Sequence, residues 1–209
     1  MTPQLIAAFI SAVVASGILV GSAWWQRRQE RRAVLLVYAS ELVLAFSRIA
    51  TYYVQRSGKT ISYSDVYQFT DSNTLTRIVN LVADPAVIYA IVRLKEKYFQ
   101  IGRYVRLAST MAAEWRVLDN TSQEYVRRYG VEDARTKDIR DRAQEAHSRA
   151  IHAQGTALAF FEFEMMFEWT KTFLEYVKRN VTGRQIDELQ TRLYQAQRDK
   201  LAAELRLRQ

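Results

Sequence analysis

Residues 5–25 read LIAAFISAVVASGILVGSAWW, and none of them is charged. No other feature restricts the possible folds of this chain so strongly. An α-helix rises about 1.5 Å per residue, so the run extends about 30 Å, the thickness of a bilayer's hydrocarbon layer. In water, other parts of the protein would have to wrap it. Its flanks favour lipid. Trp24 and Trp25 close the run, and indole rings, apolar in body and polar at the N–H, settle at the headgroup boundary. Arg27, Arg28, Arg31 and Arg32 follow, opposed only by Glu30, and neither Lys nor Arg precedes the run. The positive-inside rule then puts the C-terminal side in the cytoplasm and the N-terminus outside. A cleaved signal peptide carries a basic stretch ahead of a shorter apolar core, and residues 1–25 have neither. The expectation is a transmembrane anchor over 1–25 in the lipid bilayer and a basic juxtamembrane segment over 26–32, with Trp24, Trp25, Arg27, Arg28, Arg31 and Arg32 at the membrane interface.

The anchor also carries a packing signal. Gly17 and Gly21 form a GxxxG, and Ala8 and Ala12 add small residues at helical spacing. Small side chains let two helix backbones approach closely where lipid removes the hydrophobic drive for association. A second copy of the chain or another membrane protein is the expected partner of this face.

Nothing between the anchor and residue 55 breaks a helix, so one helix is predicted from about residue 3 to 56, stopped by Ser57-Gly58. Its second half, AVLLVYASELVLAFSRIATYYVQ, is apolar apart from a narrow stripe of Glu41, Arg48, Tyr52 and Gln55, which predicts burial by other helices. Only seven glycines and two prolines occur in 209 residues, a scarcity that favours long helices over a many-turned sheet. Ser62 or Ser64 can cap one short helix, and Asp71 or Ser72 another reaching to about Val82. Asp84-Pro85 is a strong start signal, a capping carboxylate followed by proline at the first helical position.

From Pro85 the pattern runs unbroken to Gly130. Val87, Ala90, Leu94, Ile101, Tyr104, Ala108, Met111, Trp115, Leu118, Ser122, Tyr125 and Tyr129 recur at alternating steps of three and four, with Lys97 the misfit. A second helix is predicted from near Val131, with Ile139, Ala143, Ala146, Ala150, Ala153 and Ala157 as its seam. Large residues facing alanines fill space without clash, so the two predict an antiparallel coiled-coil hairpin with Gly130 at its tip. Near its base the first helix has a further apolar face, Ile88, Ile91, Val92, Tyr98, Phe99 and Val105, which predicts packing into a bundle. Past Ser109 only the seam is apolar. The resulting division is a first bundle part over 33–108, a protruding hairpin over 109–154, a second bundle part over 155–181, and a C-terminal amphipathic helix over 182–209. That last helix can pack back on the bundle, pair with a partner helix, or lie on lipid.

Candidate chemistry is sparse. The absence of cysteine excludes disulfides, thiolate metal sites and thiol nucleophiles. His147 and His152 are the two histidines, and neither has a glutamate three residues before it, so a Glu-x-x-His metal motif is missing. The glycines are too scattered for a phosphate loop. No metal, cofactor or catalytic residue is expected. Glu162 stands out because Leu158, Ala159, Met165, Met166 and Trp169 would surround it on a continuous helix. A buried carboxylate needs a cation, and Arg48, Arg93 or Arg103 could supply one. Glu162 could then handle a proton or grip a ligand, but the favoured expectation is a structural ion pair that fixes helix register, with Arg48 as its partner. The net charge of +8 raises the question of nucleic acid. Arg127, Arg128, Arg135, Lys137, Arg140, Arg142 and Arg149 on the hairpin are nearly matched by acids, so nucleic acid is not expected as a partner.

The whole reads as an all-α protein, a single N-terminal transmembrane helix continuing into a cytosolic helical bundle with a long antiparallel coiled-coil hairpin. The expected role is a non-catalytic scaffold or accessory subunit of a membrane complex, with a protein partner on the hairpin. The alternative is a membrane effector of defence or stress type that acts by oligomerisation of its anchor.

Overall fold

The computed structural model describes residues 3–55, 78–181 and 183–207, with side chains of the first helix described over Val13–Val54. The first helix, α1 (Pro3–Gln55), is continuous through the apolar run, the arginines and the second apolar stretch. It is followed by α2 (Pro85–Tyr129), α3 (Ala134–Ala159), α4 (Phe163–Asn180) and α5 (Arg184–Leu207). A helical turn at 78–81 precedes α2, and no strand occurs among the described residues. The expected stop at Ser57-Gly58 and the expected caps at Ser62 or Ser64 and Asp71 or Ser72 lie outside the described residues.

Local sequence accounts for both ends of α2 and the start of α3. Asp84 Oδ1 accepts hydrogen bonds from Ala86 N at 2.9 Å and Val87 N at 3.5 Å, and Pro85 opens α2. These are donors that a helix start otherwise leaves unsatisfied. Gly130 ends α2 with φ 89°, a conformation that side-chain-bearing residues resist. The next helix begins at Ala134 rather than near Val131, because Asp133 takes the cap position and accepts from Arg135 N at 2.9 Å.

One boundary has no glycine or proline behind it. Between α3 and α4 the chain tightens, with Phe161 N donating to Leu158 O and Glu162 N to Phe160 O, both at 3.0 Å. The continuous helix expected through Glu162 is therefore interrupted there, and Leu158 is not its neighbour one turn back. Packing supplies the reason. Phe161 and Phe163 are both buried, but residues two apart on a helix point to nearly opposite sides. The break lets both rings reach Phe46, at centroid distances of 5.5 and 5.3 Å.

Cross-helix contacts set the directions. Arg31 of α1 meets Tyr176 near the end of α4, while Phe46 and Tyr53 meet Phe161 and Phe163 near its start, so α4 runs antiparallel to α1. Helix α5 returns antiparallel to α4, through Lys178–Asp187, Phe167–Tyr194 and Glu164–Lys200. Helix α2 starts beside Leu81, which Arg31 also reaches, and passes Glu162 at Lys97, so it runs parallel to α1. Helices α2 and α3 lie antiparallel, joined by Tyr104–Phe160, Trp115–His147 and Glu114–Arg149.

The continuous core draws on α1, α2, α4 and α5, with Ala157 from the end of α3. It ends at Val105 on α2. Of the alternatives for the C-terminal helix, the structure shows packing on the bundle: Ile186, Leu189, Leu193 and Ala196 are buried. The second apolar face expected on α2 is only partly used. Ile91, Tyr98 and Val105 are buried, whereas Val92 and Phe99 remain exposed because no described element lies beyond them.

Helix α1 divides sharply. Every described side chain from Val13 to Arg31 is exposed, and burial begins at Leu35 and recurs through Ala50. Phe46, fully buried among three other phenylalanines, is the centre of the second part. Phe46→Ala is expected to lower the unfolding free energy by about 3–5 kcal/mol, measured by denaturant titration of the full chain in mild detergent.

Lys200 ties α5 to α4 by pairing with Glu164 and, within its own helix, Glu204 at 3.0 Å. Burial opposes its charge, but the hydrogen bonds to both carboxylates outweigh it and hold the ammonium above its usual range. A folded-state value raised in this way stabilises the fold below the ordinary lysine range and loses that effect as pH rises through it. Lys200→Met should therefore lower the thermal midpoint at pH 7, and the gap from the parent should close in strongly alkaline buffer.

Candidate interaction surfaces

The exposed half of α1 is the first surface. Trp24 and Trp25 are 60% and 59% exposed, and the Arg28 guanidinium lies 5.3 Å from the Trp24 ring centroid. Arg27 is also exposed, and Arg32 is half-buried. Arg31 has a different occupation. Its Nη2 donates to the Leu81 carbonyl and, at 3.2 Å, to Tyr176 Oη, and Tyr176 Oη in turn lies 3.5 Å from the same carbonyl. This arginine therefore clamps α1 to the start of α2 and the end of α4, a role that nothing in the local sequence announces.

Gly17 and Gly21 lie within the exposed stretch, and open space surrounds the position a Cβ would take on either. Among the described residues nothing covers this GxxxG face. Ala8 and Ala12 belong to the same helix, with side chains outside the described set.

The second surface lies along α2 and α3 beyond the core. The residues buried here are those that face each other, Ala108 and Ser122 on α2 and Thr136, Ala143, Ala146, Ala150 and Ala153 on α3. His147 is exposed, yet its ring sits 4.6 Å from that of Trp115, so it works as an aromatic plate beside the seam. Arg149 bridges the helices, 3.9 Å from Glu114 and 3.8 Å from Glu145. Small alanines opposite larger residues leave an open groove of about 530 Å³, lined by Trp115, Ser122, Arg127, Arg140, Ala143 and His147 among others.

Glu162 pairs with Lys97, not with Arg48. Arg48 lies exposed on α1, and position 162 sits at the start of α4, where Lys97 is the cation within reach. The lysine that interrupts the α2 seam and the glutamate that interrupts an apolar stretch thus satisfy each other. Glu162 Oε1 receives the lysine hydrogen bond, while Oε2 is buried without a partner among the described residues. Among the described residues no three His, Asp or Glu side chains gather as metal ligands.

No family model, no curated protein and no solved structure matches this chain.

Lys97→Met leaves Glu162 half-buried without its cation and should cost about 1–2 kcal/mol, since hydrogen bonds to charged groups are strong but this carboxylate keeps some water. The double variant Lys97→Met/Glu162→Met should recover most of that loss. Denaturation of both variants and of Glu162→Met alone measures the coupling.

Proposed function

We propose that this chain is a single-pass, membrane-anchored helical interaction protein, a non-catalytic scaffold or accessory subunit of a membrane complex. Residues 5–25 span the bilayer with the N-terminus outside, and the bundle stands in the cytoplasm. The observation that carries this reading is the division of α1. One helix, long and apolar enough to cross a membrane, buries its later part in the bundle and leaves residues 13–25 uncovered by any other described residue. An apolar surface of that length exposed along a rod marks contact with lipid or with another apolar surface. The arginines after Trp25 supply the orientation.

Two partner surfaces follow from the same reading. The open Gly17/Gly21 face associates with a second copy or with another membrane subunit. The coiled-coil arm of residues 109–154 reaches a protein partner beyond the bundle, on the side away from the bilayer. Its even mixture of acids and bases suits a protein contact better than nucleic acid.

Purification of the full chain from native membranes in mild detergent tests the proposal. The expected result is resistance to alkaline carbonate extraction, together with a homo-oligomer or a stoichiometric membrane partner. Gly17→Ile/Gly21→Ile should abolish that association while leaving membrane insertion intact. A cytosolic reporter fused after Gln209 should be active, and one that requires export inactive. Recovery in the soluble fraction, or an activity from the exported reporter, overturns the anchored reading. Membrane leakage that depends on Gly17 and Gly21 would instead favour the effector.

A further inference from the structure

The geometry points to a second membrane contact, made by the end of α4 and the start of α5, that binds the headgroups of anionic lipid. The inference rests on the anchored reading of α1 and adds to it a surface supplied by residues far from the anchor in sequence. Arg31 holds Tyr176 beside it, so α4 is level with α1 at that point. Trp25 marks the edge of the hydrocarbon and lies about 9 Å below Arg31 along the helix. Helix α4 runs antiparallel to α1 and continues past Tyr176 toward the same edge. Arg179 is therefore about 4.5 Å closer to the hydrocarbon than Tyr176 is, at the level of Arg28. The headgroup layer is about 5–8 Å deep on each side. The end of α4 and the beginning of α5 consequently enter that layer.

The side chains there are suited to it. Lys178, Arg179 and Arg184 are all exposed. Lys178 is balanced by Asp187 at 3.2 Å and Arg184 by Glu188 at 3.0 Å, whereas Arg179 makes no ion pair among the described residues. Glu175 lies one turn farther from the edge, and the Asp84 carboxylate at this end of the bundle is occupied by the backbone amides of α2. With Arg27, Arg28 and Arg32 on the neighbouring helix, Arg179 extends a basic surface that, among the described residues, Glu30 and the more distant Glu175 offset only in part. Cations held within a Debye length of an anionic leaflet are attracted to it. The bundle thus rests on the bilayer by two feet, the arginines of α1 and the adjoining ends of α4 and α5, and a zwitterionic surface engages the second foot less.

The chain has no native cysteine, so single-cysteine variants of the full chain can carry a spin label. Gln185→Cys places the label at the proposed foot and Ser148→Cys places it on the distant arm. Both proteins are reconstituted in phosphatidylcholine alone and in phosphatidylcholine mixed with phosphatidylglycerol. Relaxation of the label by a headgroup-anchored nickel chelate reports proximity. The expected result is strong relaxation at 185 in the anionic mixture, weaker relaxation at 185 in phosphatidylcholine, and none at 148. Adding Arg179→Glu should reduce the anionic signal at 185 to its phosphatidylcholine level, with helical content unchanged by circular dichroism. Equal signals at 185 and 148 in a protein that resists carbonate extraction overturn the inference and leave the anchor standing. Loss of carbonate resistance removes both. Shielding of position 185 that appears in native membranes but not in the pure lipid mixtures assigns these helix ends to an acidic protein and likewise overturns it.

Discussion

An unbroken helix joins an exposed apolar stretch and a buried one in a single rigid element. The first part of α1 has an apolar surface that no other described residue covers, and the second part is the central post of the helical bundle. No turn separates them, so the position and tilt of the uncovered part are transmitted to the bundle. Arg31 reinforces that coupling within two turns of Trp25, by bonds to elements that lie about fifty and a hundred and forty-five residues further along. The packing of Phe46 against Phe161, Phe163 and Phe167 completes it at the far end.

The helix directions follow from that post. Because α2 runs parallel to α1 and outlasts it, the pair formed by α2 and α3 leaves the bundle from the end opposite the uncovered segment. From Ser109 to Tyr129 it extends about 30 Å. Along this length the buried side chains are mostly alanines on α3, which bring the two helices close but contribute little apolar area each. The pair is therefore held by many small contacts and by bridges such as Arg149 to Glu114, while the bundle is held by large aromatic and aliphatic groups.

Polar groups within the bundle find partners or are held neutral by burial. Lys97 and Glu162 each look misplaced on their own helix, and together they fix the register of α2 against the start of α4. Burial raises the Tyr98 phenol well above its usual range, so it stays protonated throughout the physiological interval.

Local physics made much of this legible in advance. Hydropathy and the absence of breakers marked α1 as one long helix. Asp84-Pro85 and Gly130 set the limits of α2, since a cap, a proline and a left-handed glycine act within a turn of themselves. Three-four periodicity picked out Ala143, Ala146, Ala150 and Ala153 as facing residues on α3. Other features depended on where separate helices came to lie. The break after Ala159 arises because two phenylalanines compete for one core and a continuous helix cannot aim both at Phe46. Lys97 rather than Arg48 became the partner of Glu162 because α2 passes the start of α4 at that level, while Arg48 faces outward. Val92 and Phe99 stayed exposed because no described helix packs outside them. Arg31 became a clamp only when Leu81 and Tyr176 were folded against it. The amino-acid sequence by itself determined most of the helical segments and the apolar character of both halves of α1, because those properties depend on neighbours within a few residues. Which side chains meet across helices was decided by the tertiary structure, because it depends on the relative height and rotation of rods that short-range chemistry leaves free.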